Sequence, residues 1–328
     1  MEIVEPVPAN LWDRVAARCP CATFFHSRAW SEIWEKSHPG IFRSAARAVV
    51  FGHEGAAVLP LMEYGWEGKG FFHAYASNAP GVYGGVIAER EAPEDSSSLL
   101  VGSLRGARSK RIDFFGNPYD DRNKPPAGWE RRPNFTHRID LSRFSGEEDL
   151  FKSYSHGPRQ LIRKAVDLGY TFAEARNLDD VRAYYQLYRK VLTAWGDEAT
   201  NDYGFDLFKN IFLRRDAGTS FRLVWKGDEL VAGQVALTFN GICDAWHAVN
   251  DRRHVQNGVS SFVVHHSIQA AMKDGCRYFD LNPSGGHAGT ATFKERMGAV
   301  KTPFEECGWG DNGVYRSFCK FRRVLPHD

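Results

Sequence analysis

The chain has 328 residues, 43% apolar and 25% charged, with a net charge of +2. That is enough chain for two domains with buried cores, and too apolar for a disordered one. A free-standing nucleic-acid binder carries a much larger basic excess, so no DNA partner is expected, and no run approaches the roughly 18 apolar residues of a membrane span.

Met1 to Asn10 holds two acids, two prolines and no apolar core. No signal peptide is expected there, and the chain reads as cytoplasmic with reduced thiols. Of six cysteines only Cys19 and Cys21 are close, as C-P-C. No second pair stands at zinc spacing, and no metal is expected.

Ser27 can cap a helix whose inner face is Trp30, Ile33 and Trp34. Two strands follow, Phe42 to Phe51 and Ala56 to Tyr64, joined by the Gly52-to-Gly55 turn. Further strands are expected at Gly70 to Ala76, near Val82 to Ala88, and at Arg111 to Phe115, with a helix over Glu94 to Leu104. Asn117 to Asn134 holds four prolines and alternating charge and reads as a linker.

The second half is more regular. Ser145 to Glu148 forms a capping box, and Pro158 and Gly169 suit the start and end of the next helix. Helices are expected over Asp179 to Thr193 and Phe205 to Arg214. Strands follow at Phe221 to Trp225, Leu230 to Phe239 and Ile242 to Val249, the first two joined at Lys226-Gly227-Asp228. A helix from Ser260 to Lys273 ends at Gly275, and Arg277 to Leu281 reads as the next strand. Helices, an antiparallel meander, then a crossover helix into another strand make an α/β (α+β) fold with a mixed, largely antiparallel sheet.

Three segments carry a family resemblance. Asp140-Leu141-Ser142 leads to Leu150-Phe151 and then Arg159 to Ala165. Glu229 to Leu237 contains Ala-Gly within a strand. Gly275 to Ser284 is followed by Thr292-Phe293-Lys294 and Met297-Gly298. Phe24 to Ser27 and Tyr83-Gly84-Gly85 add weaker marks in the first half. Together they resemble the FemAB and BioF2-like acyltransferases, the peptidoglycan bridge-forming type. The resemblance implies two tandem GNAT-like domains, 1–137 and 138–312, each a mixed sheet flanked by helices, with a cleft between. It also implies a tail, 313–328, returning to the first domain, and transfer of an acyl or aminoacyl group to a primary amine.

That chemistry needs a neutral amine held near the carbonyl, donors for the developing oxyanion, and an anchor for phosphates. The resemblance gives Lys294 the oxyanion role; by residue type alone it is an exposed lysine on a short helix. Asp280 is either a general base or a structural carboxylate. Asn282 and Ser284 stand at i+2 and i+4 from Asp280, on one face if the strand continues. Phe293 and Tyr83 join the substrate candidates through their motifs. Arg159 and Arg163, four apart on one helix face, either grip a diphosphate or form a solvated basic face.

Arg253, Gln256, Asn257 and Gly258 precede the helix from Ser260, where GNAT enzymes hold the coenzyme A pyrophosphate on helix N–H groups. With one glycine the loop departs from their pattern. The co-substrate is acyl-CoA, with aminoacyl-tRNA as the alternative, and no cofactor is expected to bind tightly. The acceptor is an amine, phosphorylated or nucleotide-linked, of the kind found in cell-envelope precursors. A non-catalytic binder of the same fold is the third possibility.

Overall fold

The computed structural model describes residues 1–52, 55–64, 73–79, 82–89, 93, 96–104, 109–120, 128–195 and 202–310. Two compact units divide the chain: Met1–Phe135 with the segment from Thr302, and Thr136–Lys301. The second unit thus stops short of 312. The reason is strand pairing: Glu306 to Gly310 lie antiparallel to Phe115 to Arg111, in the first unit. The tail 313–328 lies outside the described residues.

The first unit begins with β1 (Glu2–Val4), α1 (Ala9–Arg18), α2 (Arg28–Ser37), β2 (Phe42–Ser44) and β3 (Arg47–Phe51). It continues with β4 (Gly55–Leu59), β5 (Met62–Tyr64), β6 (His73–Ala76), β7 (Ile87–Ala88), α3 (Ser96–Gly102) and β8 (Ser109–Phe115). The two strands expected across 42–64 each break in the middle. Ala45 N–H bonds to Leu61 O at the break. The halves then serve different sheets: β3 and β4 pair with each other, and so do β2 and β5. Pro60 beside the break has no N–H to give a ladder. Ser27 caps α2 through Trp30 N, as its sequence implies.

β9 (Glu130–Asp140) replaces the end of the expected linker. Its first half is charged and exposed, which hides a strand from pattern reading. Asn134 Nδ2 donates to Glu306 there at 2.6 Å.

In the second unit, α4 (Glu147–Ser153), α5 (His156–Asp167), β10 (Thr171–Glu174), α6 (Leu178–Trp195) and α7 (Phe205–Phe212) lead into the sheet. Ser145 bonds to Asp149 rather than completing a box with Glu148. The meander is β11 (Thr219–Lys226), β12 (Glu229–Phe239) and β13 (Ile242–Asn250). Then come α8 (Arg252–Val255), α9 (Val259–Lys273), β14 (Tyr278–Asp280), α10 (Ala288–Arg296) and β15 (Val300–Gly310).

β10 to β13 are antiparallel neighbours. β14 then lies parallel to β13 and antiparallel to the end of β9. The crossover through α9 is what makes a parallel pair possible. Phe279, Ile139 and Cys243 face one way and pack with Phe262, Ile268 and Ile162 from α9 and α5. Burying a side chain such as Phe279 contributes roughly 2–3 kcal/mol. Residues in register with these on alternate positions, Asp244, Asp280 and Arg138, take the opposite face.

Candidate active site

β14 pairs with β13 over three residues only, ending at Asp244 opposite Asp280, while β13 runs on to Asn250. The two strands part company there. The chain also leaves extended geometry: Asn282 has φ +60°. Asparagine tolerates this left-handed conformation better than most residues. The expected alternation of Asp280, Asn282 and Ser284 on a strand face therefore stops at Asp280. A turn gathers them instead, and all three are buried.

Asp280 Oδ1 accepts from the Asn282 N–H at 2.7 Å and from the Thr136 hydroxyl. Both bonds hold the carboxylate to the turn. At 0% exposure, Asp280 organises the turn and does not face an amine directly. Burial and these two bonds fit the structural reading of Asp280.

Lys294 is the buried residue of α10, at 6% exposure. Its Nζ donates to Asn282 O at 2.7 Å and to Pro283 O at 3.3 Å. Burial pushes its pKa down to about 8, opposed by the charge of Asp280. An ammonium has three donors, so two carbonyls leave one N–H to aim elsewhere. The side chain is both a staple for the turn and a cation held away from bulk water.

His137 was not foreseen from the sequence, because it comes from β9. It is fully buried, with Nε2 3.8 Å from Glu295 Oε1, and Leu281 N–H bonds to its carbonyl at 2.8 Å. Burial, then the Lys294 charge, lowers its pKa, so the imidazole is neutral at physiological pH. Three buried polar atoms at this turn have no hydrogen-bond partner among the described residues: Asn282 Oδ1, Asn282 Nδ2 and Ser284 Oγ. Groups left in this state are costly unless a ligand or water meets them.

Residues 152–295 match the family model described as "Acetyltransferase (GNAT) domain". No curated protein matches the chain in sequence. Solved structures match it in fold. FemX has a TM-score of 0.70 at 12% identity, covering 93% of this chain and 97% of its own. The C-terminal domain of a putative lysylphosphatidylglycerol synthetase from Agrobacterium fabrum has a TM-score of 0.53 at 14% identity, covering 80% and 84%. A tandem GNAT protein from the clavulanic acid biosynthesis pathway has a TM-score of 0.51 at 11% identity, covering 94% and 98%.

This chain has the tandem-GNAT fold, of the FemX type.

In this tandem-GNAT protein the other expected site residues each have surroundings of their own. Phe293 is partly buried against the core and anchors α10. Tyr83 belongs to the first unit at 0% exposure, packed edge-on against Phe25 and Phe304. It cannot touch a substrate without disrupting that core. His26 of the same unit is bonded to the segment of Tyr83: its Nε2 lies 2.9 Å from Gly84 O, and burial lowers its pKa to about 4.

The loop expected to hold a pyrophosphate is tied up in its own contacts. The Arg253 guanidinium donates to Asp251 and Glu229. Gln256 O accepts from Lys164 Nζ at 3.0 Å, and Asn257 Nδ2 reaches Tyr170 Oη at 3.4 Å. Gly258 caps α9 at φ +88°, with no side-chain cap on the first turn. Arg163 is exposed and its guanidinium sits 5.3 Å from the Phe151 ring centroid. Arg159 is half-buried, and its Nε has no partner among the described residues. Of the two arginines, Arg159 is the one with a buried donor left over.

Proposed function

We propose that this tandem-GNAT protein transfers an acyl group from an activated ester or thioester to a primary amine at the turn after β14. The supporting observation is the buried Lys294 ammonium, bonded to the backbone of a turn whose Asn282 and Ser284 side chains have unmet polar atoms. When the amine attacks, the carbonyl oxygen becomes an oxyanion. A preorganised cation in a low-dielectric pocket stabilises that charge more than water does. Asn282 and Ser284 offer the donors and acceptors that orient the reacting groups. Asp280 holds the turn and supports the charge on Lys294.

Acyl-CoA is the favoured donor. A phosphorylated or nucleotide-linked amine, as in cell-envelope precursors, is the favoured acceptor, with Arg159 as its phosphate contact. Aminoacyl-tRNA is the second donor. Two observations favour it: Arg253 is already paired with carboxylates, and a putative lysylphosphatidylglycerol synthetase shares the fold.

The test is turnover with acyl-CoA and with aminoacyl-tRNA against a panel of amines, following release of free thiol or free tRNA. Lys294→Met keeps the volume and removes the charge. It should cut kcat by about 100- to 1000-fold, the size of a lost oxyanion donor. Unchanged kcat in a folded variant removes Lys294 from the mechanism. Ligand binding without turnover on either donor would leave only the non-catalytic binder.

A further inference from the structure

The first unit contains a pair of free thiols beside a carboxylate, outside the turn proposed for acyl transfer. Cys19 ends α1, its N–H bonded to Val15 O, and Ala22 N–H returns to Cys19 O at 3.0 Å. Pro20 at the second position suits such a turn. The turn brings the two sulfurs within 3.3 Å. Asn117 Nδ2 fixes it by donating to Cys21 O at 2.9 Å. Asp120 Oδ2 lies 3.7 Å from Cys21 Sγ, whose single S–H can turn to it or to Cys19 Sγ.

The two thiols are unequal. The hydrogen bond from Cys21 lowers the Cys19 pKa to about 7 against the effect of burial, helped by the Ala88 and Cys21 N–H groups. The same bond, burial and the nearby Asp120 carboxylate push Cys21 up. Burial raises the other described cysteines: Cys243 upward, Cys276 to about 12 and Cys307 to about 11. A thiolate beside a protonated thiol, with a carboxylate to take its proton, is the arrangement of an attacking and a resolving cysteine. Cys19 is 2% and Cys21 9% exposed, and between them Pro20 is exposed, so only a small oxidant entering beside Pro20 can reach the pair.

We infer that Cys19 and Cys21 form a redox-active dithiol that a peroxide closes to a disulfide. The Cys19 thiolate attacks one peroxide oxygen. An S–O bond forms, the O–O bond breaks, and the leaving hydroxide takes a proton and departs as water. Cys21 Sγ then attacks the Cys19 sulfenic sulfur. Its proton passes by way of Asp120 to the leaving hydroxide, which departs as a second water. The thiols lose two electrons and the peroxide gains two.

The full-length protein is treated with hydrogen peroxide, alkylated, and mapped at the tryptic peptide Cys19–Arg28. That peptide should lose two hydrogens and both alkylation sites, and dithiothreitol should restore them. Cys19 should lose labelling at least about tenfold faster than Cys276. In Cys21→Ser, Cys19 should stop at a sulfenic acid that dimedone traps. The idea is overturned if both cysteines stay alkylatable, if the peptide gains oxygen without closing, or if Cys243, Cys276 and Cys307 oxidise as fast. The wild-type map decides this even if the variant does not fold.

Discussion

Two segments of the second unit looked alike as polar, glycine-containing candidates: the turn after β14 and the loop from Arg252 to Gly258. The structure treats them differently. In the loop, Arg253 is matched by Asp251 and Glu229, and the Gln256 carbonyl by Lys164. In the turn, Lys294 is buried with a depressed pKa, and Asn282 and Ser284 keep unmet polar atoms. A polar segment that satisfies itself needs no ligand to explain it. One that folds with polar capacity left over does.

Asp280→Asn is the most disruptive way to break this contrast. It removes a buried charge that Lys294 leans on, which typically costs about 3–5 kcal/mol, and chemical denaturation would read it. The same variant sharpens the electrostatics. Lys294 has a pKa of about 8 when folded against 10.5 when free. Activity that needs the ammonium should fall as pH rises through about 8. Asp280 raises that pKa, so the fall should move to lower pH in the variant. For stability the sign is opposite. The unfolded chain binds the extra proton between these values, so the penalty, roughly 3 kcal/mol, is present below about 8 and fades towards 10.5. A pH–rate profile unmoved by Asp280→Asn would separate the two residues.

Ser284→Ala tests the leftover polar atoms. Deleting a buried hydroxyl without a partner should leave stability unchanged or raise it by about 1 kcal/mol. Substrate KM should rise all the same. A loss of stability with normal KM would make Ser284 a structural residue. The smallest effect is expected for Arg253→Ala in the loop. Its guanidinium is exposed and already matched by Asp251 and Glu229, and donor KM should hardly change. A large rise in KM for acyl-CoA would return that loop to the donor site.

Much of the second unit was legible because its signals were local. Lys226-Gly227-Asp228 turns β11 into β12, with Lys226 opposite Glu229. Gly275 ends the α9 crossover at φ +73°, as a glycine past a helix end should. β9 is hidden because charge on its exposed first half gives no alternation to read, and the partners of both β9 and β15 lie far off in sequence. The site divides the same way. Lys294, Asp280, Asn282 and Ser284 fall within 15 residues of one another and share a motif. Thr136 and His137 reach the same turn from a strand that the sequence presented as the edge of a linker.

Gly258 sets a limit on how this unit can diverge. A methyl group there would come within 2.1 Å of Leu161 O, a backbone atom of α5 that has no side-chain torsion to yield. Any larger residue would have to lift the start of α9 off α5. The crossover into β14 would tilt with it, and the Asn282 turn hangs from that strand. One missing Cβ thus sets the spacing of a lever whose far end is the Lys294 ammonium.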